Sequence, residues 1–395
     1  YGPGAGPGAS TNQGGSSYGG NGAGGPPTYG SATKPIDLGS GGPHTGYGGG
    51  AIYIIVSNNF TNNGVISANG GGSSSGGSIY VETNSLTGGG SFSAIGGGYS
   101  SSSVYYNKGG GGRIAIYYQS SSFIGYTSAS GGCGSLGMGY QYSCAGSGTV
   151  GFFDIANNDF YPGLSWRFQI NDIPFSFNNI TANESKIESE NDISIRAANL
   201  LLDKDSSFIL ADNQILNVPT ITVGGGSTLI LSGSETITAN TLTIKGNSII
   251  TVLPEKILSL TIPNITIAAG SSISADEKGY GRNQGPGTSA SANIGASYGG
   301  LSVGGVTTSI YGSATAPVDL GSGGYYFGGG AIRLIVSNIF TNNGIVSASG
   351  GQSSSGGSVY VTDNNITGNG TFRANGGGLF ATGYFKSPGG GGRVA

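Results

Sequence analysis

The sequence predicts an all-β fold, in which parallel β-helix or solenoid-like rungs alternate with Gly-rich modules. Three observations carry this expectation. A long stretch returns almost unchanged 280 residues later. A shorter rhythm of 21 to 23 residues runs between the two copies. Apolar residues alternate at period two, as in half-buried strands, and not at the 3.6 of an amphipathic helix.

The long repeat divides the chain. Gly48-Gly49-Gly50-Ala51-Ile52-Tyr53-Ile54-Ile55-Val56 returns as Gly328-Gly329-Gly330-Ala331-Ile332-Arg333-Leu334-Ile335-Val336. Gly76-Gly-Ser-Ile-Tyr-Val81 returns as Gly356-Gly-Ser-Val-Tyr-Val361, and Gly109-Gly-Gly-Gly-Arg-Ile-Ala115 as Gly389-Gly-Gly-Gly-Arg-Val-Ala395. The expected order is a first Gly-rich copy over 1–150, an aromatic connector over 151–178, a β-solenoid over 179–276 and a second, truncated copy over 277–395. A chain that copies its framework builds length or surface, not one pocket.

Within the first copy, Ile52 and Ile79 lie 27 residues apart, and Ile66 and Phe92 lie 26 apart, spacings that suit long rungs. Asn63-Gly64 and Asn343-Gly344 read as positive-φ turn signals. Glycine supplies 82 of 395 residues, about three times its ordinary share. It lacks the Gly-X-Y period of collagen. The Gly-Ser tracts are expected as tight corners or ordered surface loops, where glycine also lets backbones approach closely.

The connector concentrates Phe152, Phe153, Phe160, Tyr161, Phe168, Phe175 and Phe177 around the single tryptophan, Trp166. Two readings fit: aromatics packed against the solenoid, or a platform for a ligand. In the next segment, the 200–202, 221–223, 242–244 and 265–267 runs are each followed by a second apolar run near 207, 228, 248 and 272. Asp, Gly, Asn and Ser between the runs mark turns. Two strands per rung of about 21 residues describe a solenoid, whose rungs stack about 4.8 Å apart and are stable only when stacked.

Charged residues make up 8% of the chain and the net charge is −3. Ordinary domains carry about 25% charged residues. With no basic stripe, nucleic-acid binding has no electrostatic support. Apolar runs reach about six residues, against roughly 20 for a membrane helix, so no membrane span is expected. Low charge with abundant Ser, Thr and Asn suits an extracellular or cell-surface protein. The start at Tyr1 and the stop at Ala395 within a motif suggest a section of something longer.

Few residues are candidates for chemistry. Cys133 and Cys144 are expected as a local disulfide, worth roughly 2–3 kcal/mol by loop closure, with two free thiols as the alternative. No catalytic residue, cofactor site or metal site is expected, and the chain reads as a non-enzyme. His44 has no counterpart in the second copy and reads as a loop residue. Asp203 and Asp205, with Lys204 between, would share one strand face and hold calcium weakly, or else sit in a solvated turn. Arg113 and Arg393, kept in both copies, are expected to cap a rung edge or to pair with Asp37 and Asp319. Asn59, Asn179, Asn183, Asn264 and Asn365 open N-glycosylation sequons, a pattern that an Asn- and Thr-rich chain also produces by chance. Thr220/Thr222, Thr236/Thr238 and Thr241/Thr243 suggest an outward hydroxyl ladder able to order water or meet a flat polysaccharide. Their irregular spacing also fits plain strand decoration.

Ser274-Ala-Asp276, Gly279-Tyr-Gly281, Tyr311-Gly-Ser-Ala-Thr315, Gly328-Gly-Gly-Ala-Ile-Arg333 and Gly389-Gly-Gly-Gly-Arg393 together resemble a Gly-rich repeat of large secreted, cell-surface proteins of bacteria and protists. These are similar to parallel β-helix adhesins and filament subunits. The resemblance covers both Gly-rich modules and implies surface display without naming a ligand. The expectation is an extracellular structural repeat protein of a filament, sheath or stalk that self-associates into a fibre. The alternative is an adhesin or polysaccharide-binding β-helix module.

Overall fold

The structure is a computed structural model and describes residues 1–10, 14–43, 46–98, 108–135, 142–288, 294–303, 310–378 and 387–395. It is all-β with long parallel sheets, arranged as solenoid-like rungs. The chain forms two compact units, Tyr1–Ile193 and Ser194–Ala395. Their boundary falls inside the stretch read from sequence as one solenoid module.

In the first unit, strands Ala51–Thr61, Ser78–Thr87, Arg113–Ser121 and Thr149–Asp154 stack in parallel. Register places Ile52 on Ile79, Ile79 on Ile114 and Ile114 on Val150. Ile79, Val81, Leu86, Ile114 and Ile116 are fully buried, and each such side chain contributes about 1.5–3 kcal/mol relative to exposure. A narrower sheet of Val65–Ser67, Ser91–Ser93 and Tyr126–Ser128 closes the far side of the rungs, with Ile66 on Phe92. The connector then folds as an antiparallel hairpin, Thr149–Asp154 against Asp159–Pro162. From there the rungs continue in parallel, Asp159–Pro162 on Phe175–Asn183 and Ser165–Phe168 on Lys186–Ser189.

The glycine tracts are largely interior, not surface loops. Along 109–113, successive N–H groups donate to five carbonyls on four segments, at Gly97, Ser16, Gly146, Ala94 and Gly77. A ladder strand sends its bonds to the chains on either side of it in one sheet. Here the bonds radiate, as from an extended threefold chain in a bundle of similar chains. The second copy repeats the pattern: Gly389, Gly390, Gly392 and Arg393 donate to Gly377, Ala296, Ala374 and Gly357. Glycine is required because neighbouring backbones occupy the side-chain space. A Cβ on Gly97 would collide with the Gly71 carbonyl, and one on Gly148 with the Gly112 carbonyl. Gly64 and Gly344 likewise do not have the positive φ expected of them. Instead Asn62 and Asn342 turn the chain by accepting the Gly64 and Gly344 N–H groups at 3.1 and 3.0 Å.

The second unit contains the short-period rungs. Leu200, Ile221, Leu242, Ile265 and Phe340 form one inward column, and Phe208, Leu229, Ile250, Ile273 and Val346 another. All ten are essentially fully buried. One corner is held by a buried serine ladder. Ser206, Ser227 and Ser248 each donate a backbone N–H to the hydroxyl of the next serine, Ser227, Ser248 and Ser271, at 3.1, 3.2 and 3.3 Å. The stack then continues into the second Gly-rich copy. Asn264–Ile267 pairs with Ile339–Asn342, and Ile257–Thr261 pairs with Ala331–Val336. The Gly-rich bundle is thus an excursion inserted between consecutive rungs.

Candidate functional site: a threonine face and an aromatic groove

The spacing of the threonines is irregular in sequence but regular in space. Thr222 registers with Thr243, Thr243 with Thr266, Thr266 with Thr341 and Thr341 with Thr367. The flanking apolar residues point inward, so period-two alternation turns this column outward. Beside it runs a second polar column, in which Asn199, Thr220, Thr241 and Asn264 are aligned. The Thr341 and Thr367 hydroxyls lie 3.1 Å apart. The two columns are uncharged, on strands about 4.8 Å apart along the stack, with alternate residues about 6.7 Å apart across it. Strand pairing skips turn insertions, and spacing counted along the chain hides this alignment. Thr236 and Thr238 lie on a different strand, which pairs with Ile215–Asn217, and do not join the column.

Asp203 and Asp205 do not share a strand face. Asp203 ends strand Ser194–Asp203 and Asp205 lies in the turn that follows, where Lys204 and Asp205 have φ of 50° and 58° and Ser206 N–H donates to the Asp203 carbonyl at 3.2 Å. This is a type I′ turn, one of the corners of the rung. Among the described residues no group of three or more His, Cys, Asp or Glu side chains is placed to hold a metal ion. His44 lies outside the described residues.

In the first unit the aromatic side chains form a stack. Tyr53 lies on Tyr80 with ring centroids 4.7 Å apart, and Tyr117 on Phe153 at 4.4 Å, both nearly coplanar. Phe153 continues to Phe160 at 4.9 Å, and Phe160 to Phe177 at 5.1 Å. Trp166 packs edge-on against Phe153 and Phe168 and is 2% exposed. Beside the stack is a cavity of about 470 Å³, lined in part by Tyr80, Tyr117, Phe153, Phe177, Glu82, Asp154, Asp159 and Asp172. From Tyr80 to Phe177 the rings pack on one another, as aromatic packing rather than an open stacking platform, while Tyr53 at the end of the stack is 52% exposed. The carboxylates are already engaged. Asp172 accepts the Ala32 N–H at 2.8 Å and the Ser31 and Thr33 hydroxyls. Asp154 accepts the Asn157 N–H at 3.1 Å, and Asp159 accepts the Asn179 amide at 2.7 Å. Burial, followed by the hydrogen bond to Glu82, pushes the Tyr80 phenol up, and burial likewise raises Tyr117.

Arg113 and Arg393 do not pair with Asp37 and Asp319. Arg113 is fully buried and donates from Nε and Nη2 to the Tyr29 carbonyl at 3.1 and 2.6 Å. Its guanidinium lies 5.2 Å from the Tyr18 ring centroid. Arg393 repeats this arrangement on the Tyr311 carbonyl, at 3.0 Å, and over the Tyr298 ring, at 5.4 Å. Burial lowers the pKa of Arg113. A planar fork of donors suits a carbonyl and a ring where no carboxylate is at hand. Tyr18, Tyr29, Tyr298 and Tyr311 are therefore framework residues; Tyr311 opens one of the repeat motifs, whereas Tyr18 and Tyr298 lie outside them.

Cys133 and Cys144 form a disulfide that closes the antiparallel pair Cys133–Ser135 and Tyr142–Cys144. Of the sequon asparagines, Asn59, Asn183 and Asn365 are exposed. Asn179 and Asn264 are half-buried and their amides bond within the stack, the latter to the Asn240 carbonyl at 3.1 Å. Among the described residues no helix is long and apolar enough to cross a membrane. No family model matches this chain, and neither a curated protein nor a solved structure matches it.

Proposed function

We propose that this is an extracellular structural repeat protein, a subunit of a filament, sheath or stalk at the cell surface. One observation carries the proposal: the second copy repeats several side-chain bonds of the first at positions that hold backbone together. Tyr18–Ser78 and Tyr298–Ser358 match, as do Tyr29–Ser40 and Tyr311–Ser322, and so do the Arg113 and Arg393 Nη2 bonds to the Tyr29 and Tyr311 carbonyls. Selection for a repeated scaffold retains such bonds, whereas a catalytic site needs only one copy. Parallel backbone hydrogen bonds carry load along the stack, and low surface charge permits lateral packing. Electron microscopy of the native assembly tests this: long, uniform fibres or sheaths are expected, and dispersed particles would overturn it.

The threonine face favours a second function, a polysaccharide-binding module. Uncharged hydroxyls and amides in a two-column array complement the repeating hydroxyls of a flat, ordered glycan. If this is the function, the protein is retained on an insoluble polysaccharide, and Thr243→Lys with Thr266→Lys abolishes retention. Equal retention of the variant would rule the face out.

A further inference from the structure

The first copy contains a surface that the second copy shows filled. Strand Ala51–Thr61 ends its sheet, and Val65–Ser67 ends the narrower one. Each has a neighbour on one side only among the described residues. Ile55 is 59% exposed and Val65 75%. In the second copy the corresponding strands have neighbours on both sides. Ala331–Val336 lies between Ile257–Thr261 and Ser358–Asp363, and Ile345–Ser347 between Ser272–Ser274 and Thr371–Arg373. Ile332, Leu334 and Val346 are consequently at 0% exposure, whereas Ile52, Ile54 and Ile66 are only half-buried.

The glycines make the same point independently. A Cβ on Gly344 would collide with the Ser271 carbonyl and lie 2.6 Å from Ile267 Cγ2, and one on Gly330 would lie 2.8 Å from Ala275 Cβ. Both clashes come from the rung that precedes the second copy. At Gly64 and Gly50, the matching positions, nothing lies within 4 Å. Neither has a positive φ, so neither conformation nor any neighbour among the described residues explains the glycine. The second copy also shows a polar clasp: Asp276 accepts the Ser349 N–H at 2.6 Å and the Ser347 hydroxyl. Asn69 and Ser67 present the same two donors in the first copy.

We propose that the 50–69 edge is a docking surface for the last rung of a solenoid like residues 257–277, supplied by a second copy of the repeat unit. Leu258 and Leu260 of that rung pack over Ile52 and Ile54, its backbone passes over Gly50 and Gly64, and its Asp276 engages Ser67 and Asn69. The proposal rests on the structural-repeat function and names the surface by which one unit joins the next.

The test joins a further copy of residues 194–279 directly ahead of Tyr1 and compares amide exchange with the 395-residue chain. Exchange at Gly50, Asn63 and Val65 is expected to slow at least about tenfold, as buried ladder amides do. Unchanged exchange overturns the proposal. Gly64→Val supplies the second arm. In the 395-residue chain it leaves thermal unfolding unchanged, because the space is open. In the extended chain it restores fast exchange at residues 63–65, and continued protection there overturns the proposal. Slow exchange without fibres would sink the filament function and keep the docking surface. Fibres formed by a chain whose edge still exchanges fast would do the reverse.

Discussion

The phenolic oxygen of Tyr18 lies 2.6 Å from the hydroxyl of Ser78, and both residues are fully buried. Ser78 passes the bond on to the Asp37 carbonyl at 2.5 Å. In the second copy Tyr298 lies 2.7 Å from Ser358, which donates to the Asp319 carbonyl at 2.6 Å. One tyrosine thus ties a strand start to a Gly-rich segment in each copy. Tyr18→Phe and Tyr298→Phe are each expected to cost about 1–2 kcal/mol, the price of a buried hydrogen bond lost at one partner. Amide exchange near residues 37 and 78, or 319 and 358, checks this. A change confined to one copy would contradict the equivalence.

The buried tyrosines predict alkaline unfolding. Burial, followed by weaker opposition from Arg113, raises the Tyr18 pKa to about 12, and burial raises Tyr29, Tyr117 and Tyr311 further still. The folded-state values exceed the ordinary 10.0. Their stability contribution is therefore complete below about pH 10 and is lost as pH rises toward the folded-state values. Absorbance at 295 nm should show a late class of phenols that ionises together with loss of β-sheet circular dichroism. Ionisation of these phenols near pH 10 in the folded protein would contradict the burial.

Glycine substitutions should divide sharply by location. Gly97→Ala places a methyl against the Gly71 carbonyl, so backbone must shift, at about 3 kcal/mol or more. Gly378→Ala meets nothing within 4 Å and should change stability by less than about 0.5 kcal/mol. Denaturation profiles of the two variants make the comparison. Equal effects would contradict the bundle.

A single carboxylate gives an acid-side test. Glu188 is half-buried, which by itself raises its pKa, but Lys186 at 2.7 Å and Arg167 at 3.2 Å outweigh burial and hold it below the ordinary 4.5. With the folded-state value depressed, its contribution is complete above about pH 4.5 and is lost as pH falls from there through the lower folded-state value. Amide protection of Ser165–Phe168 and Lys186–Ser189 should weaken over that range, and less so in Glu188→Gln.

The sequence made the rung architecture legible because inward columns such as Leu200, Ile221, Leu242 and Ile265 recur at nearly constant spacing. The glycine bundle was less legible. Its pairings join Gly110 to Ser16 and Gly20 to Gly111, and no local pattern encodes contacts so distant in the chain. In sequence Arg113 reads either as a rung-edge cap or as an acid's partner, because a charge suggests an opposite charge, whereas a buried guanidinium is satisfied equally by a carbonyl and a ring. The threonine face was visible only in pieces, because Thr266 and Thr341 are neighbours in space across a long insertion.

X-ray fibre diffraction from the aligned native assembly tests the central claim most directly. Rungs stacked along a filament predict a strong meridional reflection near about 4.8 Å, with strands perpendicular to the fibre axis. Material that yields no oriented fibre, or one whose 4.8 Å spacing lies on the equator, would contradict a filament built by stacking these rungs end to end.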